Sequence, residues 1–501
     1  MRFATMLAAV FFGAGAALAN AEPAPSGGLD ALLAKARVAG GAPYRYHIVS
    51  RSTEVHDGTT FDVTTETQGL KYRARSCAKD ICTGFFFDGE RSYDTNFNDT
   101  ALPLSSGVDG LQLTLRAIAS YAFTDPAFRK NGGTLVERDP VSRNGQKYRR
   151  ISVAPRLGAL LDAVIDPASG LVVGVISDER KYAFEFGDQR KIDGKVTLPF
   201  AISLNGDKFT EYLQRTIVEG PLEPPAGLVP DLSAGEATVP MQKLTRGGAQ
   251  PVVPCAIGGQ AASFLLDTGD SGLSMSLELV ERLGIEPIAG TFDVHGIGQY
   301  VTGVVRAPTL TVGGAVYPAA NYVVLHDLAQ YGCDAILGAD VFAHARITLD
   351  FGKREVHIAP SGGSDDSGIA LTFANFVPVV SVNLGDATVP LQIDTGDDGT
   401  IDLAYEYYEA HQSLFKPNGA TAVHGIGGNS EGVAGTIPHV RIASFDVAGE
   451  RIGATKKISY NGHVGTGLLD HFVVTFDYRR SLLDLVPRAG DRSVTNTAAA
   501  Q

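Results

Sequence analysis

The N-terminal part of the chain alternates between apolar and polar positions with a period of two. The clearest alternating runs are 44–49, 60–65, 70–75, 148–153, 160–165, 171–176, 182–186 and 196–202. Successive side chains of a β-strand point to opposite faces, so this period indicates half-buried strands of an antiparallel sheet. Residues 29–38 and 111–123 have helical spacing instead. The pattern therefore predicts a β-rich domain over residues 29–218 that contains little helix.

Proline, glycine and small polar residues interrupt the pattern at three places. The stretch 219–236 holds four prolines, which exclude a regular helix or a central strand, and we interpret it as an interdomain linker. Residues 360–368 are rich in Gly, Ser and Asp and predict a flexible joint. The stretch 489–501 is polar and rich in alanine, so we expect a disordered tail.

Two similar segments follow the linker. In each, an apolar run leads into Asp-Thr-Gly, at Asp267 and at Asp394, which are 127 residues apart (394 − 267). We call residues 267–272 and 394–399 the Asp loops. Each segment then contains Val-His-Gly-Ile-Gly, at 294–298 and again 129 residues later (423 − 294). Features that recur in one order at nearly constant offset indicate a tandem duplication.

A third matched feature comes near the end of each segment. Ile-Leu-Gly at 336–338 has its counterpart, at the same 129-residue offset, in Gly-Thr-Gly at 465–467. A repeat of about 125 residues is a usual domain size. We name residues 237–360 the first unit and residues 369–488 the second unit.

The order Asp-Thr-Gly, glycine-rich hairpin, apolar-apolar-Gly resembles the retropepsin-like aspartic proteases, which include bacterial periplasmic aspartyl proteases. The resemblance covers the two units. It implies a mainly β fold in which two tandem acid-protease lobes, one per unit, follow the N-terminal β-rich domain. Within that domain, a pattern of turns and strands leads to Leu-Pro-Phe at 198–200. This pattern resembles the half-barrels of periplasmic lipoprotein carriers.

In the retropepsin-like family each lobe supplies one catalytic aspartate, and the resemblance gives this role to Asp267 and Asp394. Two carboxylates about 3 Å apart cannot both ionise, so they share a proton. The ionised carboxylate takes a proton from a bound water, and the protonated one polarises the scissile carbonyl. The implied function is an aspartic-type endopeptidase that acts on a peptide or protein substrate and uses no metal or organic cofactor. Because both lobes lie in one chain, the site would not require dimerisation.

Neighbouring residues would support this pair. By resemblance, Thr268 and Thr395 cross-brace the Asp loops, and Gly269 and Gly396 let backbone N–H groups reach the carboxylates. The hairpins would be flaps that open and close over the substrate. The predicted flap residues are His295, Gly296, Ile297, Gly298, His424, Gly425, Ile426 and Gly427. The family chemistry needs no histidine, so we interpret both flap histidines as contacts to substrate or solvent.

Two features depart from the family pattern. Asp270 and Asp397 stand where many members have Ala or Ser. These carboxylates either raise the pKa of the pair by repulsion or turn outwards to accept a loop N–H. The second departure is Gly-Thr-Gly at 465–467 in place of two apolar residues and a glycine. Both departures bear on activity rather than on the fold.

Residues 1–21 have the pattern of a secretory signal peptide, with Arg2, an apolar run at 7–19 and small-x-small cleavage sites. We expect secretion across the inner membrane to the periplasm; the alternative is an N-terminal membrane anchor. No later apolar run approaches the ~18 residues of a spanning helix, so stable membrane insertion is not expected. The net charge is −13 and the chain has no basic patch, which argues against nucleic acid as a partner.

The four cysteines form two candidate pairs. Cys77 and Cys82 lie close together at a predicted hairpin tip, and in an oxidising compartment they could form a disulfide. A metal site is the alternative, although no histidine or second cysteine pair is near them in the chain. Cys255 and Cys333 both belong to the first unit, and the sequence leaves open whether they form a second disulfide.

Two other functions are compatible with parts of the sequence. A non-catalytic periplasmic peptide- or lipid-binding protein could use the same scaffold, adding an extended peptide to a sheet edge. A glycosidase could use the same carboxylates, but sugar clefts usually offer aromatic platforms, and the chain contains no tryptophan.

Overall fold

The computed structural model describes residues 26–497 except 57–58, 79–80, 105–109, 144, 178–181, 243–247, 363–367 and 459. The predicted signal peptide and the centre of the predicted joint at 360–368 lie outside the described residues. The fold is mainly β, as the alternating pattern predicted, with 55% of residues in strands and 14% in helices. None of the helices in the described ranges is long and apolar enough to cross a membrane.

The N-terminal region forms one large antiparallel sheet. Its strands are β1 (His47–His56), β2 (Thr59–Gln68), β3 (Lys71–Ala78), β4 (Ile81–Phe87), β5 (Ser92–Thr95), β6 (Ala101–Pro103), β7 (Thr134–Arg143), β8 (Gln146–Ala154), β9 (Leu161–Ile165), β10 (Val172–Ser177), β11 (Tyr182–Ile192), β12 (Val196–Leu204) and β13 (Asp207–Val218). Their order is β6-β5-β4-β3-β2-β1-β13-β12-β11-β10-β9-β8-β7. Except for β6 and β7, which lie at the two edges, neighbours in the chain therefore pair, and β1 and β13 join the two halves of the sheet.

Helices α1 (Ser26–Gly40), α2 (Gly110–Ala119) and α3 (Ala127–Lys130) pack against this sheet. Leu33 of α1 and Ile118 of α2 are buried in one apolar cluster with Ile151 and Val175 of the strands. Each fully buried side chain of this size stabilises the fold by about 1.5–3 kcal/mol. The two longer helices occur where helical spacing predicted them.

The first unit forms the whole of a second sheet and contributes three strands to a third. Its strands are β14 (Ala237–Pro240), β15 (Val252–Ile257), β16 (Gln260–Leu266), β17 (Leu273–Ser276), β18 (Pro287–His295), β19 (Gln299–Ala307), β20 (Leu310–Val312), β21 (Ala315–Tyr317), β22 (Ala320–Leu325), β23 (Ala335–Leu337), β24 (Ala345–Asp350) and β25 (Glu355–Pro360). Nine of them pair in the order β18-β19-β22-β17-β23-β16-β15-β20-β21. Helices α4 (Leu277–Leu283) and α5 (Ala339–Phe342) follow β17 and β23.

The second unit repeats this arrangement. Its strands are β26 (Ile369–Ala370), β27 (Thr372–Ala374), β28 (Val377–Leu384), β29 (Ala387–Ile393), β30 (Ile401–Ala404), β31 (Gly419–Gly425), β32 (Gly428–Ile442), β33 (Phe445–Thr455), β34 (Gly462–Val464), β35 (Phe472–Asp477) and β36 (Leu482–Pro487), with β37 (Val494–Asn496) beyond it. Helices α6 (Tyr405–Ala410) and α7 (Thr466–Leu469) follow β30 and β34. The strand that precedes each Asp loop has the same partner in both units, since β16 runs parallel to β23 and β29 runs parallel to β34.

Strands of both units also meet in one six-stranded sheet, in the order β14-β25-β24-β35-β36-β26. At its centre β24 pairs with β35, and the hydroxyls of Thr348 and Thr475, which are 127 residues apart in sequence, hydrogen bond at 2.9 Å. This shared sheet fixes the position of one unit relative to the other.

Of the two segments that flank the units, the linker at 219–236 and the tail at 489–501, the tail differs from what its sequence predicts. Residues 219–236, the predicted linker, contain no helix or strand apart from a single bridge between Asp231 and Val316. The expected disordered tail, in contrast, contains β37, which pairs with β33. Val494 can join the sheet because an edge of β33 is open to it, a property that the tail composition does not reveal.

The cysteines also separate into two cases. Cys77 and Cys82 face each other across the β3–β4 hairpin and form a disulfide. Cys255 and Cys333 are buried thiols that form no disulfide, which corrects the possible second bridge. The reason is that the two side chains lie in different apolar clusters of the first unit.

Candidate active site

The two Asp loops meet where the units face each other. Strands β16 and β29 end one residue before Asp267 and Asp394, and each of the two carboxyl groups lies against the glycine of the opposite loop. The backbone N–H of Gly269 donates to Asp267 Oδ1 at 2.7 Å, and that of Gly396 donates to Asp394 Oδ1 at 2.9 Å. Each loop therefore holds one oxygen of its own carboxylate and presents the group to the other loop. We call these two residues the Asp pair.

Glycine is required in both loops because the opposing carboxylate fills the space of a side chain. A Cβ on Gly269 would lie 2.6 Å from Asp394 Cγ, and a Cβ on Gly396 would lie 2.4 Å from Asp267 Oδ2. Both distances are far inside van der Waals contact, so any larger residue would push the Asp pair apart.

Two buried threonines tie the loops together reciprocally. The backbone N–H of Thr268 donates to Thr395 Oγ1 at 3.0 Å, and the backbone N–H of Thr395 donates to Thr268 Oγ1 at 3.0 Å. The hydroxyls donate onwards across the interface, from Thr268 to Ile393 O at 2.7 Å and from Thr395 to Leu266 O at 2.8 Å. Four hydrogen bonds thus join the units directly beneath the Asp pair.

The extra carboxylates, Asp270 and Asp397, accept hydrogen bonds from their own loops. Asp270 accepts from the N–H of Gly272 at 2.9 Å and from the hydroxyl of Ser274 at 2.7 Å. Asp397 accepts from the N–H of Gly399 at 2.7 Å. The two alternatives drawn from the sequence therefore occur together, since both residues accept a loop N–H and both add negative charge near the Asp pair.

Burial and crowding of negative charge raise several pKa values here. Burial raises the pKa of Asp267 well above its ordinary value, and the charges of Asp394 and Asp270 raise it further. Burial also raises the pKa of Asp397 well above its ordinary value, with further repulsion from Asp402 and Asp394. A carboxyl with a raised pKa keeps its proton at mildly acidic pH, which is the state required of the proton donor in acid–base catalysis.

The strands that brace the Asp loops correct one sequence assignment. Leu337 of β23 pairs with Leu266, and Val464 of β34 pairs with Ile393. The counterpart of Ile-Leu-Gly at 336–338 is therefore His-Val-Gly at 463–465, at an offset of 127, and not Gly-Thr-Gly at 465–467. Compared with the first unit, the second unit has two more residues between its Asp loop and its hairpin and two fewer between its hairpin and its bracing strand. The 129-residue offset of the hairpins therefore placed this motif two residues too late.

The predicted flaps are hairpins that touch at their tips. The first joins β18 to β19 and the second joins β31 to β32. The N–H of Gly298 donates to Ile426 O at 3.1 Å, and a Cβ on Gly425 would lie 2.5 Å from Ile297 Cγ1. The N–H of Gly427 also donates to the carboxylate of Asp327 at 2.9 Å, so the second tip is tied to the first unit.

The predicted flap histidines are exposed to solvent. His295 and His424 are both exposed, and His424 Nδ1 lies 2.8 Å from Asn429 Oδ1 across its own hairpin. The structure therefore places them on the solvent side, beside Gly296 and Gly425. No group of His, Cys, Asp and Glu within the described ranges has the geometry to hold a metal ion.

Sequence reasoning missed a loop of the N-terminal sheet, residues 96–100, that binds the first unit. The side-chain amide of Asn96 donates to Ser271 O at 2.9 Å and to Asp340 Oδ1 at 2.8 Å. The amide of Asn98 donates to Asp340 Oδ2 at 2.7 Å. Burial raises the pKa of Asp340 to about 6, although these hydrogen bonds act in the opposite direction.

The same loop lies between the first flap and the first Asp loop. The ring of Phe97 packs edge-on against Phe292 of β18, with centroids 5.6 Å apart. It also fills the space beside Gly272, where a Cβ would lie 2.6 Å from the Phe97 ring. The N-terminal sheet therefore forms one wall of the space over the first Asp loop.

The first unit matches a known family over much of its length. Residues 253–341 match the family described as aspartyl protease. The matched segment runs from β15 through Asp267 and the first flap to α5, so this part of the chain has an aspartyl-protease-like scaffold. No curated protein matches the chain.

Proposed function

We propose that the protein is an aspartic endopeptidase whose active site is the Asp267–Asp394 pair. Each aspartate would come from one of two tandem retropepsin-like lobes, the first and second units. The observation that carries the proposal is that the two carboxyl groups, each in an Asp-Thr-Gly loop, each lie against the glycine of the opposite Asp loop. The match of residues 253–341 to the aspartyl protease family supports the same reaction class.

In the proposed reaction the Asp pair shares one proton. The ionised carboxylate removes a proton from a water held between the two groups, and the water oxygen attacks the scissile carbonyl carbon. The protonated carboxyl donates its proton to the carbonyl oxygen. Collapse of this tetrahedral intermediate breaks the C–N bond, and the proton taken from water passes to the leaving amine. One hydroxyl of the intermediate returns its proton to the other carboxylate, which releases the carboxylic acid product and restores the shared proton of the Asp pair. Every atom is accounted for without a covalent enzyme intermediate.

The surroundings suit this chemistry. The threonine hydrogen bonds hold the carboxylates in a fixed geometry, and positioning of this kind can contribute several kcal/mol to the lowering of a reaction barrier. The flaps would exclude water from the site after substrate enters and would open for product release. We further propose a periplasmic location, which the Cys77–Cys82 disulfide supports because disulfides persist in oxidising compartments.

The experiment is hydrolysis of casein from pH 3 to pH 8, with and without a pepstatin-type inhibitor. The variants are Asp267→Asn and Asp394→Asn, and the control is Asp386→Asn, an exposed aspartate in the turn between β28 and β29. We expect cleavage by the wild type and by the control, and none by the other two. Cleavage that survives in either Asp267→Asn or Asp394→Asn would remove the aspartic mechanism.

The alternative, a non-catalytic binding protein, has one observation in its favour. A cavity of about 720 Å³ in the N-terminal region is lined by apolar residues together with the charged residues Glu90, Asp125, Lys130 and Arg156. The apolar residues include Tyr44, Leu70, Leu113, Phe128 and Leu157. A wild type that cleaves nothing at any pH but binds an amphipathic ligand at this cavity would favour that function.

A further inference from the structure

The two units differ beside the Asp pair at one pair of facing residues. In the first unit Ser274 of β17 lies opposite Ile336 of β23. At the equivalent place in the second unit, Asp402 of β30 lies opposite His463 of β34. Residues directly opposite on antiparallel strands have Cβ atoms about 5 Å apart, so the side chains can interact. An uncharged pair in one unit is therefore an acid and a histidine in the other.

The histidine reaches the Asp pair. His463 Nδ1 lies 3.6 Å from Asp394 Oδ2, and the two side chains are 17% and 20% exposed. Its equivalent, Ile336, is buried in an apolar cluster and can offer no charge to Asp267. The two aspartates of the pair thus lie in different electrostatic surroundings, although their loops have the same geometry.

The charges that face His463 are mainly negative. Asp394 follows the neighbouring strand β29, Asp402 lies on β30, and Asp397 and Asp398 lie on the Asp loop between them. Arg451 of β33, the next strand beyond β30, is the other cation that acts on Asp402. Burial raises the pKa of Asp402, whereas the charges of His463 and Arg451 lower it. A protonated His463 would therefore reduce the repulsion among the carboxylates of Asp394, Asp397 and Asp402.

We propose that His463 is a positioning residue whose imidazolium, held between Asp394 and Asp402, fixes Asp394 as the ionised member of the Asp pair and Asp267 as the protonated member. This inference rests on the proposed peptidase function and adds a direction to it. Asp394 becomes the group that takes the proton from water, and Asp267 becomes the group that protonates the carbonyl. The raised pKa of Asp267 agrees with this direction.

The first test is the pH profile of kcat/KM on a fluorogenic peptide. His463→Ile copies the residue of the first unit and removes the positive charge, so ionisation of the pair becomes harder. We expect the acidic limb of the profile to move to higher pH by about one unit, a tenfold change in the protonation equilibrium. Asp402→Ser also copies the first unit but removes a negative charge, so its acidic limb should move to lower pH.

A role in packing alone would not produce shifts of opposite sign. The control is His439→Gln, an exposed histidine of the same unit that pairs with Asp446, and its profile should match the wild type. If His463→Ile lowers the rate but leaves the acidic limb where it is in the wild type, the inference is wrong.

The second test needs no activity, so it separates this inference from the proposed function. NMR of protein labelled with ¹³C in its histidine rings gives the titration midpoint of each imidazole, and the His463 signal is assigned by its loss in His463→Ile. We expect its midpoint to fall in Asp394→Asn, because the partner charge is gone, and to stay unchanged in Asp386→Asn. An unchanged midpoint in Asp394→Asn overturns the inference whether or not the protein cleaves peptides.

Discussion

The threonine hydrogen bonds between the Asp loops permit a quantitative prediction. Thr268→Val keeps the size of the side chain but removes Oγ1, which accepts from the N–H of Thr395 at 3.0 Å and donates to Ile393 O at 2.7 Å. Thr268 and Thr395 are 0% exposed, so water cannot replace the lost partner. Each buried group left unpaired costs about 1–3 kcal/mol, and we expect a total loss of about 2–6 kcal/mol.

The matched control is Thr268→Ser, which retains the hydroxyl and loses one methyl group. That change should cost about 1 kcal/mol. Thr395→Val should resemble Thr268→Val, because its hydroxyl accepts from the N–H of Thr268 and donates to Leu266 O in the mirror arrangement.

The assay is hydrogen exchange followed by mass spectrometry over a urea series, read on peptides that cover residues 264–272 and 391–399. Both peptides should lose protection at lower urea in Thr268→Val than in Thr268→Ser, since each bond joins the two loops. If the Val and Ser variants lose protection at the same urea concentration, the reciprocal hydroxyls do not hold the units together.

Three further outcomes are expected. In Gly269→Ala the new Cβ would lie 2.6 Å from Asp394 Cγ, so peptide hydrolysis should fall about 100-fold, whereas Gly419→Ala, with no atom within 4 Å, should retain it. Asn98→Ala removes a donor to buried Asp340, and the exchange rate of the peptide 96–103 should rise as this contact weakens by about 1–3 kcal/mol. The pKa of Asp340 is about 6 in the folded protein and 3.8 when unperturbed, so its contribution to stability is greatest below the lower value. That contribution is lost as pH rises through the upper value, by about 3 kcal/mol, and urea midpoints measured from pH 4 to pH 7 should depend less on pH in Asp340→Asn.

Short-range patterns in the sequence predicted the main features of the structure. The period-two alternation predicted the antiparallel N-terminal sheet, and two Asp-Thr-Gly motifs at a fixed offset predicted loops that the structure brings into contact. These predictions succeed because a strand's side-chain period and a turn's need for glycine act over a few residues. The same local rules give the flap hairpins, whose glycines allow the tips to approach.

Features that depend on distant parts of the chain could not be predicted in this way. The amide of Asn98 binds Asp340 across 242 residues of sequence, and no local pattern indicates that contact. His463 was missed because the 129-residue offset of the hairpins misplaced the bracing motif, whereas the strand pairing restores an offset of 127. An apolar-Gly pair 127 residues after Leu337-Gly338 is Val464-Gly465, and His463 is the residue directly before it.

The differences between the units are not spread evenly, and their distribution follows from having two units in one chain. The contacts that hold the units together are symmetric: each threonine repeats the other's hydrogen bonds, and Thr348 meets Thr475 in the shared sheet. A dimer of identical chains would also have to repeat every residue beside the Asp pair, including His463. A single chain is free of that requirement. The first unit can therefore contact the loop at residues 96–100, while the second unit has a histidine beside its aspartate. Covalent linkage therefore allows a symmetric scaffold to hold two aspartates in unequal surroundings, and this inequality is what assigns the proposed base role to Asp394 and the acid role to Asp267.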